Sequence, residues 1–124
     1  LVEAVAREVG PPGLALAGRT SLPVLGAVIA RLAVLITNDS GPAHIAYALG
    51  TPTVTVFGGT DPATWGPPPD DPHAVLAHPA PCRPCDHADC PVGDLCLDGV
   101  TVPQVIAAAE RVLAREMPRS ADAR

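Results

Sequence analysis

Lysine is absent from this chain. All eight basic residues are arginines, and thirteen acidic residues outnumber them, for a formal charge of −5. That balance excludes the basic face by which proteins hold nucleic acid, and it removes any phosphate contact borne by a lysine. Aromatic residues are scarce too, with one Phe, one Trp and one Tyr. The apolar residues, 48% of the chain, are mostly Ala, Val and Leu, so the core has to be packed from small aliphatic side chains. The charge-free stretch from Ser40 to Thr60 is broken by Gly50, Pro52 and Gly58 and does not read as a membrane span. No basic segment followed by an apolar one opens the chain, so no signal peptide is read. Without one, the four cysteines are better taken as thiols or metal ligands than as extracellular disulfides. An initiating methionine is missing as well, and the chain reads as a fragment.

What is present is a strict alternation of helix and strand patterns over one small domain, residues 1–116, with a frayed tail at 117–124. Leu1, Val5 and Val9 share one face of an opening helix stopped by Gly10. Leu14 to Gly18 reads as a short, buried strand. Ser21 as N-cap and Pro23 in the first turn predict a helix from Leu22 to Arg31. Ala33 to Thr37 is a continuous β-rich run, the pattern of a strand buried on both faces. A helix follows from Gly41 to Gly50, then a strand over Thr53 to Phe57. The segment "GGTDPATWGPPPDDP" reads as a loop without regular structure. His73 to His78 is one more short strand flanked by surface histidines. Thr101 and Gln104 form a capping box that opens a closing helix to Glu116. Such alternation means a Rossmann-like α/β fold, a parallel sheet flanked by helices.

In such sheets ligands sit outside the carboxyl ends of the strands. "LITNDSGPAH" ends a strand at Asn38 and opens a helix through Asp39, Ser40 and Gly41. The unpaired N–H groups of the first turn, with the helix dipole behind them, suit a phosphate. His44 lies one turn after Ser40 on the same face. The alternative is that Asp39 and Ser40 merely cap the helix and His44 is a hydrogen-bonded core residue. A protease-like reading of "NDSGP" fails, because that chemistry needs separate His and Asp partners on an all-β chain.

Four pieces then stand in one order: "LAGRTSL", "TNDSGPAH", "GTPTVTVFG" and "TDPATWGP". Over residues 16 to 66 they resemble the C-terminal half of glycosyltransferase family 9, the heptosyltransferases of lipopolysaccharide core assembly. The resemblance implies the C-terminal domain of a GT-B enzyme, here without its first strand. It implies that Asn38, Asp39, Ser40, Gly41 and His44 meet the diphosphate and sugar of a nucleotide-diphosphate-sugar donor such as ADP-heptose, with Thr20 and Ser21 bordering the nucleoside. A glycolipid acceptor and the catalytic carboxylate belong to the family's N-terminal half, so this chain alone is expected to be inactive. No cofactor is implied for catalysis. The parent enzyme is expected in the cytoplasm, touching the inner face of the inner membrane peripherally. Two other readings stand beside it: a metal-stabilised α/β binding module without transferase activity, and a sugar-nucleotide epimerase of related architecture.

Cys82, Cys85, Cys90 and Cys96, in a loop at 80–98, follow a C-x2-C-x4-C-x5-C spacing that suits a structural zinc, with His87 as an alternative ligand. Disulfides, free thiols or an iron–sulfur cluster are the competing readings. Their role is to hold the long loop to the closing helix. Asp61 and Trp65 either line a cleft beside the donor, or the Trp lids its own segment.

Overall fold

The structure is a computed structural model and describes residues 2–11, 13–69, 72–85, 90, 93 and 95–116. His87, Asp70, Asp71 and the tail at 117–124 lie outside the described residues. In chain order the elements are α1 (Val2–Val9), α2 (Leu22–Ile29), β1 (Leu35–Asn38), α3 (Gly41–Leu49), β2 (Thr53–Phe57), α4 (Pro62–Trp65), β3 (His73–Ala77), α5 (Leu95–Asp98) and α6 (Val102–Glu116).

The three strands form one parallel sheet in the order β1-β2-β3, with Leu35 opposite Thr53 and Thr53 opposite His73. Parallel neighbours need a crossover, and α3 supplies the first one. The sequence of β2 then decides the layers. Thr53, Thr55 and Phe57 point to one face, Val54 and Val56 to the other. On the second face α6 presents Val105, Ala108, Ala109 and Val112, a stripe at helical spacing, to Val54, Ala74, Leu76 and Val34. On the first face Tyr47 of α3 reaches the sheet and donates its hydroxyl to Thr55 Oγ1 at 2.8 Å. The alanines bring each helix close, as a core poor in large residues requires: Ala43, Ala46 and Ala108 are fully buried.

The buried threonine hydroxyls find partners. Thr51 donates to the Ile29 carbonyl at 3.2 Å, and Thr53 Oγ1 stands 3.0 Å from His73 Nδ1. These bonds matter because an unmet buried hydroxyl costs about 1–3 kcal/mol. Gly50 ends α3 at φ +67°, where its N–H meets the Tyr47 carbonyl. At the head of α6 the side-chain Oε1 of Gln104 accepts from both the N–H and the hydroxyl of Thr101, at 2.7 and 3.0 Å. Among the described residues no helix is long and apolar enough to cross a membrane.

The α/β layering is as the sequence predicts, but several local readings are corrected. Leu14 to Gly18 is no strand. Among the described residues no strand pairs with it; it turns through a bond from the Arg19 N–H to the Leu16 carbonyl, and Leu14 is 77% exposed. β1 is not buried on both faces, since Ile36 is 53% exposed. It is the edge strand, and α6 packs on β2 and β3 instead. The Pro/Gly segment does hold a helical turn, α4, because Asp61 Oδ1 accepts from the Ala63 N–H at 2.9 Å and caps it. α2 ends at Ile29, two residues before the expected Arg31. His73 and His78 are half-buried rather than surface residues. His73 meets Thr53, and the ring of His78 lies against Gly99.

Candidate functional site

Ile29 sits beside Thr51 at the amino ends of the strands. α2, which ends at Ile29, is about 12 Å long at 1.5 Å per residue. It packs against α3, whose first turn follows directly on the carboxyl end of β1. The N-terminus of α3 thus lies at the edge of the sheet where α/β proteins hold ligands.

At that edge Asp39 continues the ladder, its N–H meeting the Val56 carbonyl at 3.0 Å. Ser40 stands in the N-cap position with extended backbone, but its hydroxyl donates back to the Asn38 carbonyl at 3.1 Å and caps nothing. The Ser40 carbonyl accepts from the N–H groups of Ala43 and His44, at 3.0 and 3.4 Å, and Pro42 has no N–H to offer. Among the described residues no acceptor meets the Gly41 N–H. A Cβ at Gly41 would meet nothing within 4 Å, and its backbone is not left-handed. Neither packing nor conformation explains a glycine there, and the space beside it is open.

Asp39 has an 11% exposed side chain and is the most constrained of the group. Its Oδ2 accepts from the Thr60 hydroxyl at 2.6 Å, while its buried Oδ1 lies 3.4 Å from His44 Nε2. That separation is long for a hydrogen bond, and Oδ1 has none among the described residues. His44 is 44% exposed, so it is not the core histidine of the alternative reading. Its ring meets Tyr47 and Trp65 edge-on, with centroids 5.6 and 6.2 Å away. Tyr47 in turn meets His73 edge-on at 5.1 Å. Burial pushes the Tyr47 hydroxyl above its ordinary pKa of 10.0; the bond to Thr55 opposes that rise and the Asp39 carboxylate adds to it.

The structure therefore brings together Asn38, Asp39, Ser40, Gly41 and His44. Thr20, half-buried, and Ser21, exposed, head the neighbouring helix, and among the described residues neither bonds to this loop. Trp65 is 54% exposed, and its ring meets that of His44 beside the loop. Thr60 and Tyr47 belong to the cluster and carry no signal in the local pattern. Thr60 stands 21 residues from Asp39. Asp61 is a helix cap.

No disulfide joins Cys82, Cys85, Cys90 or Cys96. Partial burial and the neighbouring Cys85 and Cys90 thiols push Cys82 above its ordinary thiol pKa, with a backbone hydrogen bond opposing. Among the described residues no three His, Cys, Asp or Glu side chains are drawn together tightly enough to hold an ion. Cys82 and Cys85 lie on the segment that folds back to the loop after β2, and Cys96 lies on α5. The loop is thus anchored at the sheet edge, where Arg83 donates to the Phe57 and Gly58 carbonyls and Leu97 lies on Gly58. Two grooves lie elsewhere. One groove of about 360 Å³ runs between α1 and Gly13 to Leu16, and another of about 210 Å³ lies between β3 and the start of α6. The first is almost wholly apolar in its lining residues, which suits packing better than an anion.

Comparison with known proteins adds an independent line. The model of glycosyltransferase family 9 (heptosyltransferase) matches residues 1–95. Lipopolysaccharide heptosyltransferase 3 of Escherichia coli is 49% identical over 57 residues, covering 46% of this chain and 17% of that protein. The protein of the same name in strain K12 is 46% identical over 56 residues, covering 45% of this chain and 16% of its own length. Lipopolysaccharide core heptosyltransferase OpsX of Haemophilus influenzae is 43% identical over 42 residues, 34% of this chain and 12% of that protein. The chain thus matches less than a fifth of the length of these relatives. No solved structure matches. With the family matched over residues 1–95 on a parallel α/β sheet, the chain belongs to glycosyltransferase family 9, the heptosyltransferase family.

Proposed function

We propose that this chain supplies the donor-binding half of a glycosyltransferase that moves a heptose-like sugar from a nucleotide diphosphate onto a lipopolysaccharide-type acceptor. The observation that carries the reading is the loop from Asn38 to His44. It combines an open glycine N–H at a helix start, a hydroxyl beside it and a half-exposed imidazole one turn on.

In this reading the diphosphate lies at the N-terminus of α3, where the helix dipole favours negative charge. The Gly41 N–H and the Ser40 hydroxyl, once it leaves the Asn38 carbonyl, donate to phosphate oxygens. His44 donates to the oxygen that gains charge as the nucleotide leaves. Asp39 would repel an anion, but Thr60 already occupies its Oδ2 and His44 flanks its Oδ1. Its part is to aim His44, with Oδ1 left to accept from a sugar hydroxyl. Trp65 borders the sugar, and Thr20 and Ser21 border the nucleoside from the start of α2. No metal is needed at the diphosphate, because the helix start and neutral donors supply the stabilisation. The acceptor and the catalytic carboxylate belong to the family's other half, so the parent enzyme would work at the inner face of the membrane carrying its glycolipid.

Calorimetric titration of the chain with ADP, UDP and GDP tests this. ADP binding that weakens in both Asp39→Ala and His44→Ala is the expected result. Binding that survives both changes would place the nucleotide elsewhere and sink the reading.

A further inference from the structure

Three consecutive carbonyls beyond the sheet end of β2 are taken by one segment. The Phe57 carbonyl accepts from Arg83 Nη2 at 3.4 Å, and the Gly58 carbonyl accepts from both Nε and Nη2, at 3.0 and 2.8 Å. The Gly59 carbonyl accepts from the Cys85 N–H at 2.8 Å. The very next residue, Thr60, makes the 2.6 Å bond to Asp39. The segment lies close against this backbone. A Cβ on Gly59 would come within 2.9 Å of the Cys85 Cβ, and one on Gly58 within 3.1 Å of Leu97. Arg83 thus gives three bonds to main-chain carbonyls. Charge-assisted bonds from a rigid planar fork fix direction as well as distance, which a lysine cannot reproduce.

We propose that Arg83 is a positioning residue for the donor site. It clamps the loop after β2 so that the Thr60 hydroxyl meets Asp39 and Asp39 in turn aims His44. The inference rests on the reading of the Asn38–His44 loop as the diphosphate site. It assigns the cysteine-rich segment a task at that site, 44 residues from Asp39 in the chain (83 against 39). Small displacements at such a site are costly, since remote changes that move a reacting group by about 1 Å can lose roughly a hundredfold in rate.

The test uses the full chain with Arg83→Gln, Arg83→Lys, Thr60→Val and the Arg83→Gln/Thr60→Val double variant. ADP affinity and amide hydrogen exchange are measured for each. Arg83→Gln and Arg83→Lys should each weaken ADP binding about tenfold, the worth of one hydrogen bond to a charged group. In the Thr60→Val background Arg83→Gln should add little, because both act through the same bond. The Cys85 amide should exchange faster in both arginine variants. Full affinity in Arg83→Lys would overturn the clamp in favour of simple charge attraction, and additive losses in the double variant would overturn the route through Thr60. If the wild-type chain binds no nucleotide, the donor reading fails. The exchange comparison still decides the clamp: faster Cys85 exchange supports it, and unchanged exchange rejects it.

Discussion

Asp39 shows at the residue scale why an acid can sit beside an anion site. Its charge is engaged by Thr60 and flanked by His44 before any ligand arrives. Tyr47 reports on that charge. It is the only tyrosine in the chain, so absorbance at alkaline pH reads it alone. Its ionisation should fall above 10.0, closer to that value in Asp39→Asn and further above it in Thr55→Val. Because the folded state holds the proton more tightly, Tyr47 contributes fully to stability below pH 10.0. The contribution is lost as pH rises from there through the raised pKa. A midpoint at or below 10.0 would show that the hydroxyl is neither buried nor near Asp39. Gly41→Ala separates folding from binding. The added methyl meets open space, so thermal unfolding should show the helix unharmed or stabilised by up to about 1 kcal/mol. ADP affinity should fall at the same time. These residue contacts were only partly legible. The capping types at Ser21 and Ser40 mark the helix starts, yet neither side chain makes a capping bond. Residue type predicts a position there, not a partner.

The legible elements are those with strong periodicity. The stripe Val105, Ala108, Ala109 and Val112 is readable as one face of α6, and it forms the core with Val54. Val112→Ala should therefore cost about 2 kcal/mol in denaturant unfolding. Ile106→Ala, on the 53% exposed face, should change stability by less than about 0.5 kcal/mol. Equal costs would mean that α6 packs the other way round. What failed was an apolar run taken alone. Leu14 to Gly18 has strand composition, but a strand exists only through its neighbour, and none pairs it here. The edge position of β1 was likewise invisible, because strand order is a property of the assembled sheet. The cysteine segment was expected to brace the closing helix, whereas it is bonded to the loop after β2. A structural zinc on Cys82, Cys85, Cys90 and Cys96 remains a proposal from their spacing. It predicts one bound zinc in native mass spectrometry that is lost in Cys82→Ser. Metal-free protein with four titratable thiols would reject it.

For the whole molecule, the edge strand leaves Ile36 exposed and the opening helix holds no buried residue. The family match covers residues 1–95, and the chain spans less than a fifth of the length of the relatives it matches. The central claim is that nucleotide diphosphate sits at the start of α3. The most direct measurement is amide chemical-shift mapping of the labelled chain titrated with ADP. The account predicts the largest changes at Asp39, Ser40, Gly41, His44 and Thr60, with the single Trp65 indole moving at the same concentrations. Changes centred on the apolar groove of α1, with the Asn38–His44 loop unmoved, would contradict it.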